Sequence, residues 1–191
     1  MKLVLATHNA HKVEELRRIL GAVLPDIEVV GYDGPEPVED GDSFAANALI
    51  KARAAAEHTG LPAIADDSGV CVDALGGAPG IHSARYAGTR DDGDNLRLLL
   101  KNLEGETNRA GHFECAAALV VGDVEHVEAG IWTGEILTEP AGTNGFGYDP
   151  IFRPTGYDVS AAELTPEEKN AVSHRARAFT AIAPIVGQLL K

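Results

Sequence analysis

Apolar residues at positions 13, 16, 19 and 20 recur at the spacing of one helical face, so Lys12 to Leu20 is expected to form a helix, with Gly21 as its stop. The run Leu3-Val4-Leu5-Ala6 before it reads as a buried strand, and the polar turn Thr7-His8-Asn9 joins the two. Ile27 to Val30 reads as a second strand, followed by a Pro- and Gly-punctuated acidic loop from Gly34 to Gly41. Asp42-Ser43 then caps an Ala-rich helix from Phe44 to about His58, with Phe44, Ala48, Ala52 and Ala55 on one stripe, Asn47 and Lys51 on a neighbouring one, and Gly60 at its end. Pro62 to Ala65 is a short strand that delivers Asp66-Asp67-Ser68-Gly69, and Val70-Cys71-Val72 continues extended. After a turn-rich loop (76–88), Asp94 to Leu103 has its leucines on one helical face. His112 to Val121 and Val124 to Trp132 then form a hairpin around Gly122-Asp123. A late hairpin beside earlier strand-helix units predicts an α/β fold with a mixed sheet rather than an all-parallel one.

Near the C-terminus, Thr165, Pro166 and Glu168 have the pattern of a capping box. One unbroken helix from there would set Lys169 and His174 roughly 140° apart around its axis, too far to share a ligand. A break at Ser173 resolves this by starting a second helix at His174.

Charge narrows the function. The 191 residues carry 16 Lys+Arg against 29 Asp+Glu, a formal net charge of −13. Such a surface repels a phosphodiester backbone, which excludes general nucleic-acid binding, whereas one small anion remains compatible if local cations or a metal counter the field. Cys71 and Cys115 lie in no CxxC or Cys/His pattern, so spacing indicates neither a zinc site nor a disulfide framework, and a reducing cytoplasm fits best. The longest apolar run, Cys115 to Val121, is too short to cross a bilayer.

Four segments carry candidate chemistry. Thr7 to Lys12, at a strand-to-helix junction, offers free N–H groups and a lysine to an anion, or is an ordinary helix cap. Asp66 and Asp67 at a strand end suit a hard divalent cation or a general base, with Glu39 or Asp40 as further acid; the alternative is a solvated Asx-turn. Gly142 to Pro150 sets glycines beside Phe146 and Tyr148, which could stack on a planar base or simply turn. Lys169, His174 and Arg175 are a further anion or base contact, or a solvated basic face.

Taken in order, Thr7-x-Asn9-x-x-Lys12, Glu39-x-Gly41, Asn47-Ala48, Lys51-Ala52-Arg53, Ala65 to Gly69, Gly77 to Gly80, Ser83 to Tyr86, Phe146 to Pro150, Glu168-Lys169 and Ser173 to Arg175 resemble the inosine triphosphate pyrophosphatase family over nearly the whole chain. The resemblance implies a single domain (1–191) of two lobes with the active-site cleft between them, built on an elongated mixed central sheet flanked by helices, and a homodimer. It implies Mg²⁺-dependent hydrolysis of ITP, dITP or XTP to monophosphate and pyrophosphate, which cleanses the nucleotide pool. It makes Asp67 the general base and, with Glu39, a metal ligand. Thr7, His8, Asn9, Ala10, His11, Lys12, Lys51 and Ser68 become triphosphate contacts. Phe146, Gly147, Tyr148, Asp149, Lys169, His174 and Arg175 become the nucleoside end. Keto-purines present an acceptor O6, which the donors His174 and Arg175 can satisfy, whereas adenine's amino group would face them unpaired at about 1–3 kcal/mol per group.

Overall fold

The structure, a computed structural model, describes residues 1–190. Its six strands are β1 (Lys2–Leu5), β2 (Glu28–Gly31), β3 (Ala63–Val72), β4 (Ala110–Val121), β5 (Val124–Ile136) and β6 (Phe152–Pro154). Five α-helices accompany them: α1 (Ala10–Val23), α2 (Phe44–Thr59), α3 (Asp92–Asn102), α4 (Pro166–Val172) and α5 (His174–Leu189). The strands make one sheet in the order β2-β1-β3-β4-β5-β6. β1 pairs in parallel with both β2 and β3, while β5 and β6 are antiparallel, so the sheet is mixed as the sequence predicts.

The chain divides into two compact units. Unit 1 comprises residues 1–67, 115–130 and 174–191; its core packs Leu3, Leu5, Leu16, Ile19, Leu20 and Ile64 with Leu119, Phe179, Ile182 and Val186. The helical spacing of Leu16, Ile19 and Leu20 is what turns that face of α1 into this core. Unit 2 comprises residues 68–114 and 131–173. Its core is aromatic: the Phe113 and Phe152 rings lie 4.5 Å apart edge-on, and Trp132 lies 5.5 Å from Phe152. Ring pairs at these separations add about 0.5–1.5 kcal/mol each beyond their area burial.

Local signals place most elements well. Ser43 accepts from the Ala46 amide to cap α2, whose predicted stripe of Phe44, Ala48, Ala52 and Ala55 is buried, and Gly60 closes it at φ 67°. The break before α5 falls at Ser173, where the backbone is extended (φ −67°, ψ 165°). Two expectations fail. Gly21 does not stop α1, which runs on to Val23 and is closed by Leu24. A mid-helix glycine costs only about 1 kcal/mol, less than the burial of Leu24 in the unit 1 core returns. The acidic pair also does not end a strand: Ala63–Val72 is one continuous ten-residue strand, so Asp66 and Asp67 lie at its centre and neither forms an Asx-turn.

Candidate active site

Alternation along β3 sends Asp66 and Asp67 to opposite faces of the strand, and two different sets of cations meet them. Asp66 Oδ2 accepts from Lys12 Nζ at 3.0 Å and from Arg175 Nε at 3.2 Å. Arg175 also approaches Glu15 Oε2 at 3.6 Å, and all four residues are buried or nearly so. Thus the first turns of α1 and α5 are tied to the centre of β3 by one ion-pair network within unit 1.

Asp67 Oδ1 lies 3.3 Å from Lys51 Nζ, which also lies 3.1 Å from Glu39 Oε2. Lys51 is presented by the α2 face beside the buried alanine stripe. Glu39 arrives from the acidic loop, where Asn47 Oδ1 accepts from the Gly41 amide at 2.9 Å. A Cβ at position 41 would stand 2.6 Å from that oxygen, so only glycine permits this close approach in the Glu-x-Gly segment.

These surroundings separate the two acids electrostatically. Burial alone would raise Asp66, but Lys12, Arg175 and Lys51 outweigh it and hold its carboxyl far below the ordinary range. Burial dominates for Asp67 and raises it, against the opposing pull of Lys51 and Lys12. Lys51 faces three carboxylates, and Asp67, Asp66 and Glu39 overcome its burial and raise it. Lys12 is lowered, because burial and the neighbouring Arg175 and Lys51 charges outweigh Asp66. The pKa values of two adjacent acids are thus pushed in opposite directions, Asp66 down and Asp67 up.

The Thr7 to Lys12 segment forms the junction expected of it. Asn9 is the N-cap of α1, its Oδ1 accepting from the His11 and Lys12 amides, and Thr7 Oγ1 accepts from the Asn9 amide. Capping therefore uses two of the N–H groups, leaving Lys12 as the charged group that the segment brings to β3. His8 turns away toward Glu36, 3.2 Å distant, and toward the Tyr32 ring; His11 and Ala10 are exposed on the first turn of α1. Ser68 follows Asp67 on β3 and is half-buried.

In unit 2, Lys169 Nζ donates to Asp149 Oδ2 at 2.7 Å and lies 5.0 Å from the centre of the Phe146 ring. Asp149 Oδ2 also accepts from the Phe146 amide, closing the loop on itself. Gly145 permits this at φ +70°, with its position for a Cβ only 2.1 Å from the Asp149 carboxylate. Tyr148 is fixed by donation to the Ser83 carbonyl at 2.7 Å, and the Gly147 amide donates to Asp92 at 2.9 Å. The sequence motif Phe146 to Asp149 and Lys169 are therefore one cluster. His174 is 1% exposed at the start of α5, beside Arg175 at 5%.

Sequence reasoning did not single out Glu15, or the role of Asp66 as the anchor for Lys12 and Arg175. Glu15 is adjacent to a residue of the helical core stripe, and a charged residue there looks solvated until the fold buries it.

The donor set of Glu39 and Asp67 fits a hard divalent cation. Both offer carboxylate oxygens, and Asp67 Oδ2 is buried with no hydrogen-bond partner among the described residues. Such an orphaned oxygen beside a second acid is what Mg²⁺ accepts, since it needs only one or two carboxylates and takes water and phosphate for the rest.

The chain is thus a mixed α/β protein with an acid-lysine cluster on β3, and comparison with known proteins assigns its family. Residues 3–185 match the Ham1 family, and the chain belongs to it. It is 58% identical to the dITP/XTP pyrophosphatase of Leifsonia xyli subsp. xyli, over 99% of this chain and 97% of that protein. Among solved structures, a HAM1 protein from Coxiella burnetii superposes with a TM-score of 0.88 at 40% identity, covering 98% of this chain and 99% of the other. A nucleoside-triphosphatase / dITP/XTP pyrophosphatase from Mycobacterium abscessus gives 0.76 at 48% identity, covering 96% and 100%.

Proposed function

We propose that this chain hydrolyses non-standard purine nucleoside triphosphates, ITP, dITP and XTP, to the monophosphate and pyrophosphate with Mg²⁺, and so cleanses the nucleotide pool. The observation that carries the reading is the arrangement on β3: Asp66 is paired with Lys12 at 3.0 Å and Arg175 at 3.2 Å, while Asp67 lies 3.3 Å from the Lys51 that it shares with Glu39. It is supported by the names of full-length relatives, the first of which is 58% identical.

In this reading Glu39 and Asp67 hold the Mg²⁺, which when bound neutralises charge on the phosphates and the leaving pyrophosphate. The raised Asp67 carboxylate accepts a proton from the attacking water. The water oxygen bonds to the α-phosphorus, the bond to the bridging oxygen breaks with its electron pair on pyrophosphate, and Asp67 returns the proton to solvent. Lys12, Lys51, Ser68 and the Thr7 to His11 turn take the triphosphate, whose charge the net −13 chain could not otherwise accept. We assign Phe146 to Asp149, Lys169, His174 and Arg175 to the nucleoside. Homodimerisation and a cytoplasmic location belong to the same proposal; no helix among the described residues is long and apolar enough to cross a membrane.

The test is a substrate panel of ITP, XTP, dITP, ATP and GTP with Mg²⁺, in which pyrophosphate and orthophosphate are measured separately. Pyrophosphate as first product, with the keto-purines ITP, XTP and dITP well ahead of ATP, is expected. Orthophosphate first would reject the bond assignment, and equal rates with ATP would reject the base-reading donors.

Titration supplies a second expected result. Because burial raises Asp67, its carboxyl in the Mg²⁺-free protein, followed by NMR, should titrate above the ordinary aspartate value of 3.8. Lys51 lowers that carboxyl, so Lys51→Met should move the titration to higher pH as well as weaken substrate binding. A titration that stays in place in the variant would remove Lys51 as its counter-charge.

A further inference from the structure

We propose that Cys71, His112 and Glu114 form a binding site for a divalent transition-metal ion of the zinc type in unit 2. Cys71 lies on β3, and His112 and Glu114 lie on β4, the neighbouring strand in the sheet. Residues two apart on a strand project from the same side, so His112 and Glu114 face one way while Phe113 between them enters the aromatic core. Sequence spacing gives no hint of this, because the thiol and the imidazole lie 41 positions apart.

One ligand atom from each of the three side chains lies within 4.8 Å of the other two, and His112 Nε2 stands 3.6 Å from Glu114 Oε2. Around a tetrahedral ion with bonds of about 2.0–2.3 Å, neighbouring ligand atoms are about 3.3–3.8 Å apart. The His-Glu edge is therefore already at coordination spacing, and the thiol needs to close by at most about 1.5 Å. Backbone geometry helps hold the strands together at this point: a Cβ on Gly111 would stand 2.7 Å from the Cys71 carbonyl oxygen, so the strands approach as closely as glycine allows.

The ligand chemistry selects the metal. A thiolate and an imidazole disfavour Mg²⁺ and Ca²⁺, which take oxygen, and favour Zn²⁺, with Co²⁺ as its spectroscopic substitute. His112 and Glu114 are half-buried while Cys71 is buried, so an ion has a path from solvent to a sulfur at the base of the site. Three protein ligands leave the fourth position to water. Binding replaces the Cys71 S–H bond with a sulfur-metal bond and sends one proton per ion to solvent. The ion would clamp β3 to β4 in unit 2, a role separate from the Glu39 and Asp67 pair in unit 1.

The experiment is titration of the full-length protein with Co²⁺ in excess Mg²⁺, which occupies all-oxygen sites, followed by displacement with Zn²⁺. A saturable thiolate-to-cobalt charge-transfer band at one equivalent, reversed by Zn²⁺, is expected. The band should vanish in Cys71→Ser, and binding should weaken at least about tenfold in His112→Ala. Should Cys71→Ser fail to fold, His112→Ala at a half-exposed position still decides the matter. Absence of the band in the unmodified protein, its survival in Cys71→Ser, or unchanged affinity in His112→Ala would each overturn the proposal.

Discussion

Replacing Asp67 by Asn should reduce turnover of ITP by about 10²–10⁴-fold while the protein stays folded and still binds nucleotide. The reason for the large kinetic effect is that Asp67 is the acid of the pair whose carboxyl burial raises, and Asn is nearly isosteric but accepts no proton at neutral pH. The fold should tolerate the change because Lys51 keeps Glu39 as its counter-ion at 3.1 Å, so no buried cation is left alone. Rapid-quench measurement of pyrophosphate release, paired with nucleotide binding by calorimetry, separates the two effects. Turnover within fivefold of the parent would remove Asp67 from proton transfer. A parallel loss of binding and turnover would make it a substrate contact instead.

Asp66→Ala should produce the largest loss of stability, although its side chain is chemically identical to its neighbour's. Removing it takes away the carboxylate that Lys12 and Arg175 share, while Glu15 remains 3.6 Å from Arg175. Breaking a buried pair in this way typically costs about 3–5 kcal/mol, roughly 6–20 °C in Tm for a chain of this length. The pH dependence has a definite sign. Asp66 is held below its ordinary 3.8, so it contributes stability above that value, and this contribution fades as pH falls below it. Urea denaturation across that range should therefore show a steeper acid loss in the parent than in the variant. A destabilisation below about 1 kcal/mol would mean that the network is solvated. Adding Lys12→Met to Asp66→Ala should recover part of the loss, since the second change removes one of the stranded charges.

Much of the fold was legible from local rules, and the particular residues show why. Ser43 and Gly60 bracket α2, and the capping box from Thr165 to Glu168 opens α4, because capping and turn chemistry act over three or four residues. The break expected at Ser173 is present, where extended backbone closes α4 and α5 begins at His174. Gly21 misled because a helix end reflects what lies beyond it: burying Leu24 outweighs one poor helix former. The Asp66-Asp67 pair was likewise misread as a strand terminus, since charged residues inside a strand look unfavourable until cations on other elements neutralise them.

Local sequence determined the helices and turns, the mixed α/β class and the candidate residues, because periodicity, caps and glycines act through neighbours along the chain. Tertiary structure alone decided that Asp66 anchors Lys12 and Arg175 while Asp67 shares Lys51 with Glu39, and that Cys71 meets His112 and Glu114. Those differences arise from burial and from charges that lie far apart in sequence, and Coulomb energy and desolvation depend on distance in space rather than on separation along the chain.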